Sequence, residues 1–272
     1  MKLGTASTLL TMLLFAECSA RAQVYGRPTA EVYAPPRLLQ QVGITQNLGA
    51  TLPLDLPLTD EKGNEVSLRM YLGRPVILAL VYFQCPSLCN RVLNGILRSV
   101  KQSDLVPGED YDLVAISFDA RETPQMAAEK KATYVREYHR DGAESGWHFL
   151  TGPNLSTKAV ADAAGFHYVY DSMTNQYAHP AAIMVVTPEG KLARYFFGIE
   201  YPSRDLQSAL REAAKEKIMS PVDQILLYCF HYDPATGKYS IAIMNVLRLG
   251  GLLTFGALAT FLVIALRREA MA

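Results

Sequence analysis

Two cysteines in the run Cys85-Pro86-Ser87-Leu88-Cys89 are the residues of this chain best equipped for chemistry. They follow the apolar run Val76-Ile77-Leu78-Ala79-Leu80-Val81-Tyr82-Phe83 and open a helical pattern, so their spacing projects both thiols from one helical face. Side chains at i and i+4 on a helix lie about 5–6 Å apart at Cβ. Two thiolates sharing a metal ion must approach to about 4.6 Å, twice a metal–sulfur bond of about 2.3 Å. Modest rotation closes that gap, so the pair suits a soft metal ion or, with some strain, a disulfide. A strand end opening into a helix N-terminus also lowers a thiol pKa through the helix dipole, which argues against two inert structural cysteines.

The elements that must hold these thiols are legible from periodicity and turn residues. Asp55 to Leu68 reads as a hairpin turning at Glu61-Lys62-Gly63-Asn64. Residues 76–83 form a buried strand, and Ser87 to Val100 a helix with Leu88, Val92, Leu93, Ile96, Leu97 and Val100 on its apolar face. A second buried strand spans Tyr111 to Phe118. Thr123-Pro124 caps a helix running to about Tyr138. A short strand at Trp147 to Thr151 and a helix from Ser156 to Ala164, closed by Gly165, come next. Tyr168 to Ala178 is a polar, tyrosine-bearing hairpin or loop. Ala181 to Thr187 and Lys191 to Phe197 make a hairpin around Pro188-Glu189-Gly190, and Asp205 to Ile218 the last helix. This βαβα…ββα order, with Cys-Pro after the first buried strand, is a thioredoxin-like α/β arrangement: a central sheet flanked by helices.

In that topology His179, just before the strand Ala181 to Thr187, falls beside the cysteine loop, and no other histidine does. His139, His148 and His167 are expected to be ordinary surface or core residues. Pro180 stands where thioredoxins carry a cis-proline against the dithiol. Thioredoxins, however, separate their cysteines by two residues; the three here favour metal sharing over a low-strain catalytic disulfide.

The ends of the chain bear on compartment. Residues 1–22 read as a secretory signal peptide: Lys2, an apolar stretch from Leu9 to Phe15, and Ala20-Arg21-Ala22 as the cleavage site. A lipoprotein reading through Cys18 is disfavoured by Glu17, where a small residue is expected. Residues 23–50, with Pro28, Pro35 and Pro36, read as an extended lead-in, and 51–218 as the folded domain. Leu249 to Leu266 carries no charge and is followed by Arg267-Arg268, the pattern of a transmembrane helix (249–266) with a cytoplasmic tail (267–272). The body of the protein then lies on the extracytoplasmic side. Beyond the leader remain Cys85, Cys89 and Cys229, an odd number for an oxidising compartment, so at least one thiol is reactive or metal-bound. Cys229 and His231, in the membrane-proximal segment 219–248, form a Cys-x-His pair that reads as a second handling site or as a packed aromatic turn. The 26 basic and 26 acidic residues balance, and no basic run offers a footprint for nucleic acid.

From about Asp55 to Phe197 the chain resembles the Sco/SenC family, membrane-anchored copper-binding proteins that assist assembly of the copper centre of cytochrome c oxidase. The resemblance rests on Leu58-Thr59-Asp60 to Leu68, the Cys-Pro-x-x-Cys loop, Ile116-Ser117-Phe118-Asp119, Leu150-Thr151-Gly152, and a histidine before a strand. It implies copper ligation by Cys85, Cys89 and His179, a site suited to copper(I) whose vacant position admits copper(II). It also implies a copper-receiving oxidase subunit as partner and a bacterial inner-membrane location with the domain on the periplasmic side. Two departures stand out. Ser117-Phe118-Asp119-Ala120-Arg121-Glu122-Thr123-Pro124 is one residue shorter than the family's Ser-x-Asp-Pro-x-x-Asp-Thr-Pro and carries Glu122 for the later aspartate, and His179 is followed by Pro180. The rival reading is a thiol–disulfide reductase with Cys85, nearer the helix start, attacking. A thiol peroxidase is a poor third reading, given Gln84 before Cys85 and the lack of any Thr-x-x-Cys pattern.

Overall fold

Strand β4 (Val76–Val81) is apolar at every position and buried on both faces, the signature of a central strand covered on each side. In the computed structural model, which describes residues 39–85, 88–220, 232–233, 238–239, 249–256 and positions 258, 261, 264, 266 and 267, it is the middle strand of five. The others are β5 (Asp112–Ser117), β6 (Trp147–Leu150), β10 (Ala182–Val186) and β11 (Leu192–Phe197), in the order β11-β10-β4-β5-β6. Strands β4, β5 and β6 run parallel, and β10 lies antiparallel to both β4 and β11.

This topology sets the site. Parallel neighbours bring the residues after β4 and β5 to one end of the sheet. Because β10 runs the other way, with Ile183 opposite Ala79, the residues before β10 come to that same end. The cysteine loop, the Phe118–Thr123 loop and His179 therefore converge.

The crossovers are helical. Helix α1 (Leu88–Lys101) buries Val92, Leu93, Ile96, Leu97 and Val100. Helix α2 (Pro124–Tyr138) is capped by Thr123, whose side chain accepts the Met126 N–H, with proline in its first turn as expected, and packs on β6. A single turn, α3 (Ala143–Gly146), and helices α4 (Asn154–Ala163) and α5 (Ser203–Ala213) complete the set. Helix α5 packs against α1, β10 and β11. At Gly95 of α1 a Cβ would sit 2.2 Å from the Ile199 carbonyl oxygen, so only glycine allows so close an approach.

The remaining strands pair in two-stranded ribbons. Strands β2 (Leu58–Thr59) and β3 (Glu65–Val66) form the expected hairpin, its turn held by Asp60, which accepts the N–H groups of Lys62 and Asn64. Strands β8 (Val169–Asp171) and β9 (Gln176–Ala178) form the tyrosine-bearing hairpin, a separate two-stranded sheet. Two further ribbons pair β1 (Gly43–Ile44) with β7 (Phe166–His167) and β12 (Tyr232–Asp233) with β13 (Lys238–Tyr239).

Several expectations are corrected. The first described residue of α1 is Leu88, and Cys85 sits in the turn ahead of it, so the two thiols do not share a helical face. Helix α4 starts at Asn154 rather than Ser156; Pro153 takes the N-cap position without a side-chain cap, its carbonyl accepting the Ser156 and Thr157 N–H groups. Helix α5 starts at Ser203, after Pro202, and ends at Ala213 rather than Ile218, where Glu216 takes a left-handed backbone (φ 55°). Part of the lead-in, Gly43–Ile44, is a strand rather than unpaired chain. The bond before Pro180 is trans, since the protein has no cis peptide among the described residues.

Residues 1–38, including the expected signal peptide and Cys18, lie outside the described residues, as do Cys229 and His231. Within 249–266 the described positions are helical, but the unbroken described run is 249–256. Among the described residues no helix is long and apolar enough to cross a membrane.

Candidate metal centre

Cys85 is presented by a tight turn at the end of β4, in which its N–H donates to the Tyr82 carbonyl at 3.3 Å. Its sulfur faces the opening of α1 and accepts the Cys89 N–H at 3.4 Å, one of the donors left free in a helix's first turn. Cys89, in that first turn, points back to β4 and accepts the Tyr82 N–H at 3.4 Å. Both thiols are free and buried. His179 enters from the end of the β8–β9 hairpin, and its Nε2 lies 3.2 Å from the Cys89 sulfur. The two sulfurs and one ring nitrogen all lie within 4.8 Å of one another. Among the described residues no other three such side chains converge in this way.

The imidazole's tautomer follows from its second contact. Nδ1 is 2.9 Å from the Pro180 carbonyl oxygen, which can only accept, so Nδ1 carries the proton and Nε2 offers its lone pair to the sulfurs. Tyr82, Phe118 and Phe166 surround the ring at 5.4–6.2 Å between centroids, leaving His179 only 8% exposed.

The two thiols are electrostatically unlike. The hydrogen bond from the Cys89 side chain, aided by the Cys89 N–H and the Tyr82 hydroxyl, holds Cys85 well below the usual thiol range, with burial opposing. Burial pushes Cys89 up, and its hydrogen bond to Cys85 adds to the rise. These contacts favour the thiolate at Cys85 and the protonated thiol at Cys89.

The Asp119–Thr123 loop frames this pair. Both oxygens of the buried Glu122 carboxylate are in use: Oε1 accepts the Gln84 N–H at 2.6 Å, and Oε2 accepts the Phe83 N–H at 2.7 Å and the Ser117 hydroxyl at 2.6 Å. Arg121 donates to Asp119 from Nε and Nη2, with the shortest contact 2.7 Å, and from Nη1 to Asn175 at 3.0 Å and the Tyr170 hydroxyl at 3.4 Å. Its guanidinium lies 5.2 Å from the Tyr170 ring centroid and 5.7 Å from that of Tyr177. Sequence reasoning registered Glu122 as a departure from a pattern; nothing in it signalled contacts to main-chain groups 38 and 39 positions away.

The other described histidines lie away from this centre. His139 ends α2 in a left-handed conformation (φ 56°), His148 packs tilted against Tyr71 and lies 3.5 Å from Asp112, and His167 meets the Thr45 hydroxyl at 3.0 Å.

Comparison with known proteins identifies the family. Residues 46–215 match the family described as SCO1/SenC. A curated relative from Stutzerimonas stutzeri, named "Putative copper-binding protein", is 28% identical over 141 residues, half of this chain and 65% of that protein. The match thus covers just under two thirds of the relative's length. A solved structure described as a "putative electron transfer protein" from Aquifex aeolicus VF5 is 27% identical and superposes with a TM-score of 0.54 over 62% of this chain and 95% of its own. A SCO1/SenC family lipoprotein from Bacillus anthracis str. Ames, 16% identical, has the same fold with a TM-score of 0.51, over 63% of this chain and 99% of its own. The chain belongs to the SCO1/SenC family, with that family's thioredoxin-like fold.

Proposed function

We propose that this protein is a copper metallochaperone that holds copper through Cys85, Cys89 and His179 and delivers it to the copper-receiving subunit of a respiratory oxidase. The observation carrying the reading is the convergence of two buried sulfurs and one Nε2 lone pair within 4.8 Å, a compact set of soft and borderline donors. Thiolate and imidazole select copper over hard cations, and three donors leave a position open for an incoming ligand. Loading displaces the Cys89 proton, so uptake releases acid, and an oxidised pair cannot load because a disulfide is not a thiolate. Delivery needs no catalytic base; the acceptor's thiolates take over the ligands one by one.

The sequence pattern supports secretion by residues 1–22 and tethering to the bacterial inner membrane by residues 249–266, with the domain on the periplasmic side and Cys229 and His231 near the bilayer. Fractionation of cells expressing the full chain tests this: recovery in the soluble cytoplasm refutes it.

The decisive experiment is metal analysis with absorption spectroscopy on the reduced protein. Cys85→Ser and Cys89→Ser should each abolish tight binding, and His179→Ala should weaken it to a two-sulfur site. Undiminished stoichiometry and affinity in the double cysteine variant would refute the assignment.

A second reading, thiol–disulfide reductase acting on the acceptor's cysteines, is favoured by one observation: the unlike thiols supply an attacking Cys85 and a resolving Cys89. Insulin reduction measured beside copper transfer separates the two. Rapid turnover of disulfides by metal-free protein, without copper transfer, would favour the reductase.

A further inference from the structure

We infer that the Asp119–Glu122 segment is a bracket that positions both ligand arms of the centre, Glu122 fixing the thiol arm and Arg121 the imidazole arm. The proposal rests on the copper reading above and concerns residues that touch no ligand atom directly.

The thiol arm is the turn Tyr82–Cys85. Its only covalent supports are β4 on one side and the helix start on the other. Glu122 seizes it in the middle, accepting two consecutive main-chain N–H groups, those of Phe83 and Gln84. Consecutive amides aim at one carboxylate only in a restricted backbone conformation, so occupying both oxygens fixes the direction in which the next residue, Cys85, leaves the turn. The carboxylate is itself immobilised by the Ser117 hydroxyl at the end of β5. Hydrogen bonds to a charged acceptor are shorter and about twice as strong as neutral ones, and these three measure 2.6–2.7 Å.

The imidazole arm is the β8–β9 hairpin, which leads directly into His179. It shares no ladder with the central sheet, and an isolated two-stranded hairpin is marginal by itself. Arg121 ties it down: one face of the guanidinium fork holds Asp119 and the other reaches Asn175 and Tyr170 across the hairpin's turn. Tyr177, under the same guanidinium, packs on Tyr82 and Phe118, two of the rings that enclose His179. Four successive residues thus set the distance between sulfur and nitrogen donors from one rigid origin, the end of β5.

The test uses the reduced full chain and its variants Glu122→Ala, Glu122→Gln, Arg121→Ala and Arg121→Lys, each also combined with His179→Ala. Loss of an outer-shell partner typically costs about 10–100-fold in metal affinity. Arg121→Ala should weaken copper binding at the low end of that range and shift the copper(II) spectrum toward that of His179→Ala. Combined with His179→Ala it should add nothing, since the arm it holds no longer carries a ligand. Glu122→Ala should keep its effect in that background because it acts on the thiol arm, and Glu122→Gln should restore part of the affinity. An Arg121 effect that is undiminished in the His179→Ala background overturns the assignment of that residue to the imidazole arm.

Amide hydrogen exchange on the metal-free protein supplies an independent reading. Glu122→Ala should accelerate exchange at Phe83 and Gln84, and Arg121→Ala across 169–178, with the central strands unchanged. If the parent protein binds no copper, the metallochaperone reading fails, and exchange alone judges the bracket; unchanged exchange at both places overturns it.

Discussion

At the scale of single residues the site consists of two thiols in unlike surroundings, Cys85 favoured as the thiolate, and one imidazole. The difference between the sulfurs is measurable without metal. Cys85 should be alkylated by iodoacetamide before Cys89, as mass mapping of partially labelled protein will show. The sign of the pH dependence follows from the lowered Cys85 pKa: the thiolate persists as pH falls, so its alkylation rate should change less than about threefold between pH 8 and pH 6, where an ordinary thiol slows about tenfold per unit. A rate that falls in parallel with a free thiol would refute the assignment. Both cysteines and the histidine were legible in the sequence because soft-donor residue types are rare and their places at a strand end and a strand start are set by topology. Glu122 and Arg121 were not legible as supports. Charged residues in a loop are common, and only the folded chain shows that Glu122 is buried against main-chain N–H groups.

At the scale of elements, periodicity located every strand of the central sheet, because buried strands such as Val76–Val81 and Asp112–Ser117 are short runs flanked by turn residues. Helix ends were less well placed. The carbonyls of Pro153 and Pro202 accept the first helical N–H groups, and α4 and α5 start two residues earlier than the apolar pattern alone implied. The reading of Cys85 and Cys89 as one helical face failed for a related reason: spacing gives a helix's period but not its first turn. One contact between elements has a sharp consequence. Gly95→Ala places a methyl group 2.2 Å from the Ile199 carbonyl oxygen, so α1 must move away from the chain leading into α5. Urea unfolding should show a loss of about 1–3 kcal/mol, the usual cost of overpacking. Gly43→Ala, with open space around its Cβ, is the control and should cost much less.

At the scale of the whole molecule, a buried ion pair links parts distant in sequence. Lys131 of α2 meets Glu61 of the β2–β3 turn at 2.6 Å, with both side chains under 10% exposed, and Glu61 also accepts the Phe149 N–H of β6 at 3.4 Å. Removing one partner of such a pair strands a buried charge and costs about 3–5 kcal/mol. Lys131→Met should therefore lower the urea midpoint sharply, and Lys131→Met with Glu61→Leu should recover most of the loss; equal losses in the single and double variants would refute this account. The enclosure of the candidate centre has a kinetic corollary. Cys85, Cys89 and His179 are 5%, 1% and 8% exposed, so an acceptor cannot reach all three ligands at once. In the proposed copper transfer, release of the metal waits on a local opening of the protein, and that opening has its own rate. Stopped-flow transfer to a thiol acceptor should accelerate with acceptor concentration and then reach a plateau set by the donor alone, so that the timing of delivery belongs to the carrier.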